Sequence, residues 1–353
     1  MKKKVLIIGP WVSGHIQQWL GDDSSFDYLI VTCHKIKPSQ KQNNVKCYFI
    51  FNILISFIIF PFFLVYNYLK FKPEIVHVHF LSSYGLLSCF LPRKKIISIW
   101  GSDFNAKAKK NKVLKKIYLF ILSKYNIINS PGKHITDDLI SYNISPSKII
   151  TLQYGIDMDK IDLIKKTNTK NRVDNKIVFA SIRNWDNIYQ IEKLITTWKK
   201  LNISQYELWL FGKSNNIKCE NNILSIAKNI DNIKIIGFLP HNELYSKLLA
   251  VDAFISIPKM DGTPLSVLEC CYLELLPVVT DIPFYRENIL TINKKYLSKN
   301  FSKTELSLIL EAVANISDDE KNRIISINKK MVTSEFNLYE NRKIMLELYK
   351  KLI

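Results

Sequence analysis

Short apolar runs rich in β-branched residues alternate with longer, helix-length segments along the first half of the chain. Val5–Gly9 (VLIIG), Tyr28–Thr32 (YLIVT), Val45–Ile50 (VKCYFI), Ile75–His79 (IVHVH) and Lys95–Trp100 (KIISIW) read as strands. Segments of helix length, such as Asn52–Phe71 and Asn111–Lys124, separate them. This alternation predicts a parallel, doubly wound sheet with helices on both faces. A polar stretch, KKTNTKNRVDNK (165–176), has no apolar periodicity and reads as a linker. The alternation then restarts with Ile177–Ile182, Tyr206–Gly212, Ile233–Phe238, Ala253–Pro258 and Leu276–Pro283, predicting a second doubly wound domain. The tail, LYENRKIMLELYKKLI, has the spacing of an amphipathic helix. The expected organisation is therefore α/β: two Rossmann-like domains, 1–165 and 166–336, facing a cleft, with the terminal helix 337–353 packing back on the first.

Composition agrees with that picture. The 353 residues are enough for two domains, and 47% of them are hydrophobic, which excludes a disordered chain. Six scattered cysteines form no C-x-x-C and no zinc spacing with histidine, so they read as buried thiols of a reducing compartment. The start, MKKKVLIIGP, has an apolar run too short for a signal peptide and reads as a first strand, which leads to the expectation of a cytosolic protein. The net charge of +19 points to an acidic partner: nucleic acid, anionic lipid or a phosphorylated substrate. An A/T-rich coding sequence, crowding the chain with Lys, Asn and Ile, is an equally good source of that charge. No nucleic-acid-binding signature is present, so no nucleic-acid partner is expected.

The stretch SIPKMDGTPLSVLECC, Ser256 to Cys271, carries the most chemistry. It places Asp261 before a turn, Gly262-Thr263-Pro264, and Glu269 inside the apolar-periodic run that follows. The unpaired N–H groups of a helix start attract phosphate, Gly262 permits close backbone approach, and Pro264 suits a first turn. Eight residues of helix put Glu269 roughly 12 Å from Asp261. A nucleotide-sugar has that layout: sugar at Asp261, diphosphate at the helix start, ribose at Glu269. The plain alternative makes Asp261 an N-terminal cap and Glu269 a solvent-facing helix residue.

The succession MDGTPLSVLE and LLPVVTDIPFYRE resembles the donor-binding segment of the family 4 retaining glycosyltransferases of GT-B fold. Other stretches match that family in order: IVHVHF (Ile75–Phe80), IWGSDF (Ile99–Phe104), LQYGIDMDKI (Leu152–Ile161), ASIRNW (Ala180–Trp185), LWLFGKS (Leu208–Ser214) and Ile235–Lys259. W-G-S-D, the Arg183-to-Tyr189 spacing and TDIP (Thr280–Pro283) resemble a subset found among surface-polysaccharide transferases. The resemblance implies that Glu269 holds the donor ribose, that Asp261 meets the donor sugar near its reacting face, and that amides around Gly262, Thr263 and Leu265 cradle the diphosphate. It implies that Arg183 neutralises the departing nucleotide without a metal or other cofactor. It makes 1–165 the acceptor-binding, membrane-facing domain and 166–336 the donor-binding one. The family Lys that follows the Arg is replaced by Ile188 or Tyr189, and Lys213 or Lys259 is the candidate substitute. Where the family helix after Glu269 ends in Gly, Glu274 stands here, so that end must be built differently.

On the first domain, the loop GPWVSGH (Gly9–His15) is not G-x-G-x-x-G, and in the family it approaches acceptor and donor phosphate, which makes Gly14 and His15 candidates. His15 reads equally as a capping or surface residue. Asp103 is the candidate for orienting the acceptor hydroxyl, with a turn-forming Asp as its alternative. His77 and His79 share one side of a strand and form only a weak metal pair, and Asp157–Asp159 resembles a metal-binding D-x-D only superficially. No metal is expected.

Asn52–Lys72 is nearly all apolar. It reads as a buried crossover helix or a segment entering one leaflet, because a membrane span between two strands would destroy the sheet. Lys107–Tyr125 has a basic start and an apolar second half, which suits an anionic membrane surface. The expected function is transfer of a sugar from a nucleotide-sugar, a UDP-sugar by preference, to a glycan or lipid-linked acceptor for a surface polysaccharide. The place expected is the cytoplasmic, inner face of the cell membrane. A nucleotide-sugar epimerase of the same architecture and a non-catalytic membrane- or partner-binding subunit are the alternatives.

Overall fold

The computed structural model describes residues 2–20, 24–100, 104, 111–168, 176–201 and 203–353, with all their side chains except that of residue 15. It divides into two units, Met1–Tyr154 with Leu338–Ile353, and Gly155–Asn337.

The first unit holds seven strands: β1 (Lys3–Ile8), β2 (Phe26–Thr32), β3 (Val45–Cys47), β4 (Ile75–His79), β5 (Lys94–Ser98), β6 (Ile127–Ser130) and β7 (Ile149–Thr151). Their order is β3-β2-β1-β4-β5-β6-β7. Every pairing is parallel, with Ile7 opposite His77 and His77 opposite Ile96. The order reverses between β1 and β4, so right-handed crossovers put the connections leading up to β3 on one face of the sheet and those that follow β3 on the other. Strands β6 and β7 have no apolar run in the sequence to mark them. Polar residues fill the buried end of β6, where Asn129 donates to Ser98 Oγ (3.0 Å) and Ser130 to the carbonyl of Gly132 (3.0 Å).

Helix Ile53–Phe71 carries the chain from β3 to β4, starts at Asn52, whose side chain accepts from the Ile55 amide, and ends at Lys72 with φ +53°. Only one stripe of it is buried: Ser56, Phe60, Leu64, Asn67 and Tyr68. The buried crossover expected from its composition is thus corrected to a half-covered one. Helix Leu338–Leu352 returns to the opposite face of this sheet, where the Tyr349 hydroxyl meets His77 Nδ1 at 2.5 Å.

In the second unit β8 (Ile177–Ser181), β9 (Tyr206–Phe211), β10 (Ile233–Gly237), β11 (Ala253–Ser256) and β12 (Leu276–Val279) lie in the order β10-β9-β8-β11-β12, again all parallel. One face is covered by helices that include Met158–Thr167, His241–Leu248 and Leu265–Tyr272, the other by Ile191–Lys199, Ile217–Ala227 and Lys303–Ala314. The unit begins earlier than the polar stretch suggested. Met158, Ile161 and Ile164 of the first helix are buried in its core, so the boundary falls at Gly155 instead of 165. The polar stretch does not mark the end of a domain.

Candidate functional site

The order of the second sheet reverses between β8 and β11, and ligands of open α/β sheets bind beyond the carboxyl ends of strands at such a point. The residues that follow those two strands meet there. Arg183, two positions past β8, is buried, and one of its terminal nitrogens pairs with the Asp261 carboxylate from the loop after β11. The other donates to Ser266 Oγ at 2.7 Å. The guanidinium lies 4.2 Å from the centre of the Tyr189 ring. Its remaining Nε is buried with no acceptor among the described residues. Burial opposes the charge on Arg183, but Asp261, Tyr285 and Tyr189 together raise its pKa above the ordinary value. The cation is therefore permanent.

Asp261 is not a helix cap. One carboxylate oxygen is taken by Arg183 and the other accepts from the Gly262 amide at 3.0 Å. The cap position of helix Leu265–Tyr272 belongs to Pro264, which has no side chain to offer the first turn. The amides of Leu265 and Ser266 have no intrahelical partner by position. Thr263 is buried just before them, and Gly262 is partly exposed. A buried cation, a glycine and an uncapped helix start thus stand together, an arrangement suited to an anion.

Two turns on, Glu269 is partly buried instead of facing solvent, and it accepts from the Tyr245 hydroxyl at 2.8 Å. Tyr245 belongs to helix His241–Leu248 and is stacked on His241, ring centres 5.7 Å apart. Desolvation pushes the Glu269 carboxyl up to about 7, against the opposing pull of Tyr245 and Lys160. Of the two lysines considered as substitutes, Lys213 follows β9 and lies over the Phe238 ring at 4.2 Å. Lys259 lines a separate recess of about 490 Å³ with Trp185, Asn187, Gln190, Lys193 and Lys218. The structure therefore groups Arg183, Asp261, Gly262, Thr263, Leu265 and Glu269 at the carboxyl ends of β8 and β11 and on the helix that follows, with the Lys213 carbonyl accepting from the Trp185 amide (3.0 Å) and the Lys259 amide donating to the Ile188 carbonyl (2.9 Å) beside them.

In the first unit, Gly14 opens the short helix Gly14–Trp19 and faces open space. The side chain of His15 and the whole of Asp103 lie outside the described residues. Gly9 has the clearer structural reason: a Cβ there would meet His79 Cβ at 2.9 Å. His77 spends both ring nitrogens on Tyr349 and Ser98 (2.8 Å), and burial lowers its pKa to about 3. It is a neutral core histidine with neither nitrogen left for a metal. Asp157 caps helix Met158–Thr167 by accepting from the Lys160 amide at 3.0 Å, which accounts for the first acid of the D-x-D.

Sequence reasoning missed Ser266, Tyr245 and Tyr285 as supports of the site. Tyr285, buried, bonds Ser256 at the end of β11 at 2.8 Å. Tyr245 and Tyr285 come from other helices than Glu269, and no local pattern ties Ser266, Tyr245 or Tyr285 to Arg183. Tyr189 was legible as a position where a lysine was missing and as the end of the Arg183-to-Tyr189 spacing, but not as a ring against the Arg183 guanidinium.

Two family models match the chain: "Glycosyl transferases group 1" over residues 163–331 and "Glycosyl transferase 4-like" over residues 64–131. No curated protein matches it by sequence. Solved structures similar in fold include sucrose-phosphate synthase from Thermosynechococcus elongatus, with 12% identity, 99% of each chain covered and a TM-score of 0.78. HepE from Anabaena, solved in complex with UDP and glucose, has 13% identity, covers 99% of this chain and 100% of its own, and has a TM-score of 0.77. The apo lipopolysaccharide outer core galactosyltransferase WaaB has 13% identity, the same coverage and a TM-score of 0.69. With both sheets, their switch points and both sequence matches in agreement, the chain belongs to the family 4-like, group 1 glycosyltransferases of GT-B fold.

Proposed function

We propose that the chain is a retaining, metal-independent glycosyltransferase that moves a sugar from a UDP-sugar to a glycan or lipid-linked acceptor of a surface polysaccharide. It would work at the inner face of the cell membrane. The observation that carries the donor site is the buried Arg183, with its Nε unanswered, beside the uncapped start of helix Leu265–Tyr272. The fold neighbours support a UDP-sugar: HepE was solved in complex with UDP, and in another structure with UDP-glucose.

In this reading the diphosphate takes the place of the Asp261 carboxylate on Arg183 and receives the amides of Leu265 and Ser266. Glu269, ionised, accepts from the ribose hydroxyls, and the displaced Asp261 turns to the sugar. Lys213, over Phe238, is placed to meet the nucleotide from the carboxyl end of β9. The acceptor hydroxyl attacks the anomeric carbon from the face the nucleotide leaves. As the bond from that carbon to the phosphate oxygen breaks, the same oxygen takes the hydroxyl proton, and the nucleoside diphosphate departs. Negative charge grows on the leaving group, and Arg183 and the helix start are the groups that meet it. His15 and Asp103 are assigned to the acceptor side, and Gly14 to the donor phosphate. The test is transfer of labelled sugar from a UDP-sugar panel to a lipid-linked glycan extract. Activity lost in both Arg183→Met and Glu269→Ala with folding kept is expected. Conversion of the donor sugar to its epimer without acceptor would favour an epimerase instead.

A further inference from the structure

Helix Ile53–Phe71 is apolar on every side, yet it lies on the surface. Against its buried stripe stands an outer stripe of Leu54, Ile58, Phe62, Val65 and Leu69, of which Ile58 is 74% and Phe62 77% exposed. A helix covering a water-facing sheet carries polar residues on that side. This one carries none along its outer stripe, and among the described residues it is the one helix long and apolar enough to cross a membrane.

The apolar surface continues beyond the helix. Its inner residues Phe57 and Phe60 pack on Tyr84, and the segment from Leu81 runs on to Phe90, which is 72% exposed. Phe90 touches Phe120 of helix Lys112–Ser123, with ring centres 6.3 Å apart. That helix exposes Val113, Ile117 and Phe120. The crossovers from β3 to β4, β4 to β5 and β5 to β6 all run in one direction across the sheet, so all three elements lie on the same face of it. The exposed apolar patch is therefore carried by two helices and the segment between them.

Its rim has one sign. Lys70 and Lys72 close the first helix, Arg93 and Lys94 stand beyond Phe90, and Lys112 and Lys116 open the second helix, all exposed. Between Asp27 and Asp137 the sequence holds only two carboxylates, Glu74 and Asp103. A second copy docking here would bring the same lysines against these, which disfavours self-association. A bilayer with anionic headgroups satisfies both parts, because acyl chains receive the apolar residues and phosphates receive the rim.

We infer that this face, the outer sides of helices Ile53–Phe71 and Lys112–Ser123 with Phe90 between them, is a docking surface that lies flat in one leaflet of an anionic membrane. Both helices begin at the carboxyl edge of their strands, so Phe51 and Leu54 of one and Lys112 and Lys116 of the other meet the lipid at that edge. The inference deepens the proposed function, on which it rests for its purpose: it gives a lipid-borne acceptor a fixed place of arrival.

The test uses the full chain without donor or acceptor, so its outcome is independent of whether sugar is transferred. The chain is sedimented with vesicles of phosphatidylcholine alone and of phosphatidylcholine with phosphatidylglycerol. Binding to the anionic vesicles is expected, with a partition coefficient lowered about tenfold or more in Ile58→Ser/Phe62→Ser. The Lys112→Gln/Lys116→Gln variant is expected to lose the preference for phosphatidylglycerol by about tenfold. All these positions are exposed, and unchanged melting temperatures check that the variants fold. Failure of the wild type to bind either vesicle, or equal binding by the serine variant, overturns the inference. So does self-association in buffer that the serine substitutions abolish, which would give the face to a second copy.

Discussion

Arg183 and Asp261 neutralise each other in the chain without donor, and that pairing decides what substitution of either will do. Removing one partner of a buried pair leaves a charge uncompensated, at a cost of about 3 kcal/mol or more. Asp261→Asn should therefore lower the melting temperature. If a diphosphate occupies the same guanidinium, UDP should then raise the melting temperature of Asp261→Asn further than that of the wild type, while transfer falls. Equal shifts in a thermal-unfolding experiment would show that phosphate does not reach Arg183. Glu269 supplies a pH dependence. Its pKa in the fold is raised to about 7, so its contribution to stability is complete below the ordinary carboxylate range and lost as pH rises towards 7. Its ionised form is the one that accepts from ribose hydroxyls. UDP affinity measured by calorimetry should therefore weaken as pH falls through about 7 in the wild type and be flat, and low, in Glu269→Gln. At this scale the sequence displayed the acids but not their partners. Asp261 read as well as a cap as it did as a ligand, because Arg183 lies on a different strand and only the β8–β11 pairing brings the two together.

At the scale of elements, the helix that carries Glu269 ends at Glu274, in the left-handed region with φ +67°. A non-glycine residue there costs about 1 kcal/mol. The side chain offsets part of this through Lys165 (2.7 Å) and Lys329 (2.6 Å). Burial would raise the Glu274 pKa, but the two lysines hold it below the ordinary value. Its contribution to stability is accordingly present above the usual carboxylate range and lost as pH falls through it. Glu274→Gly should be nearly neutral, since relief of strain replaces two exposed ion pairs. Glu274→Ala keeps the strain, loses the pairs, and should cost about 1 kcal/mol in chemical denaturation. A larger loss for glycine than for alanine would contradict this. Ten strands were legible as apolar runs. β6 and β7 were not: β6 ends in the buried polar pair Asn129 and Ser130, bonded to Ser98 and Gly132, and β7 is only three residues long.

At the scale of the whole molecule, two doubly wound units were visible in the sequence because the central strands, such as β1, β4, β8 and β11, bury both faces and so read as continuous apolar runs. Their boundary was misplaced, because a helix of the second unit precedes the polar stretch. The chain enters that unit at Gly155, where φ is +85° and a Cβ would stand 2.1 Å from the Phe336 carbonyl oxygen. Gly155→Ala should therefore destabilise the second unit by about 3 kcal/mol, read as a lower midpoint in urea. An unchanged midpoint would mean that the backbone relaxes there at no cost. The family membership sets the architecture, and the proposed donor site rests on the strand ends of β8 and β11 and on the helix that carries Glu269. The most direct test of that claim is calorimetric titration of UDP, GDP, ADP and CMP into the wild type, Arg183→Met and Glu269→Ala. The account predicts that UDP binds the wild type and that both substitutions weaken it about tenfold or more. Binding that survives in both variants, or no nucleotide bound by the wild type, would contradict it.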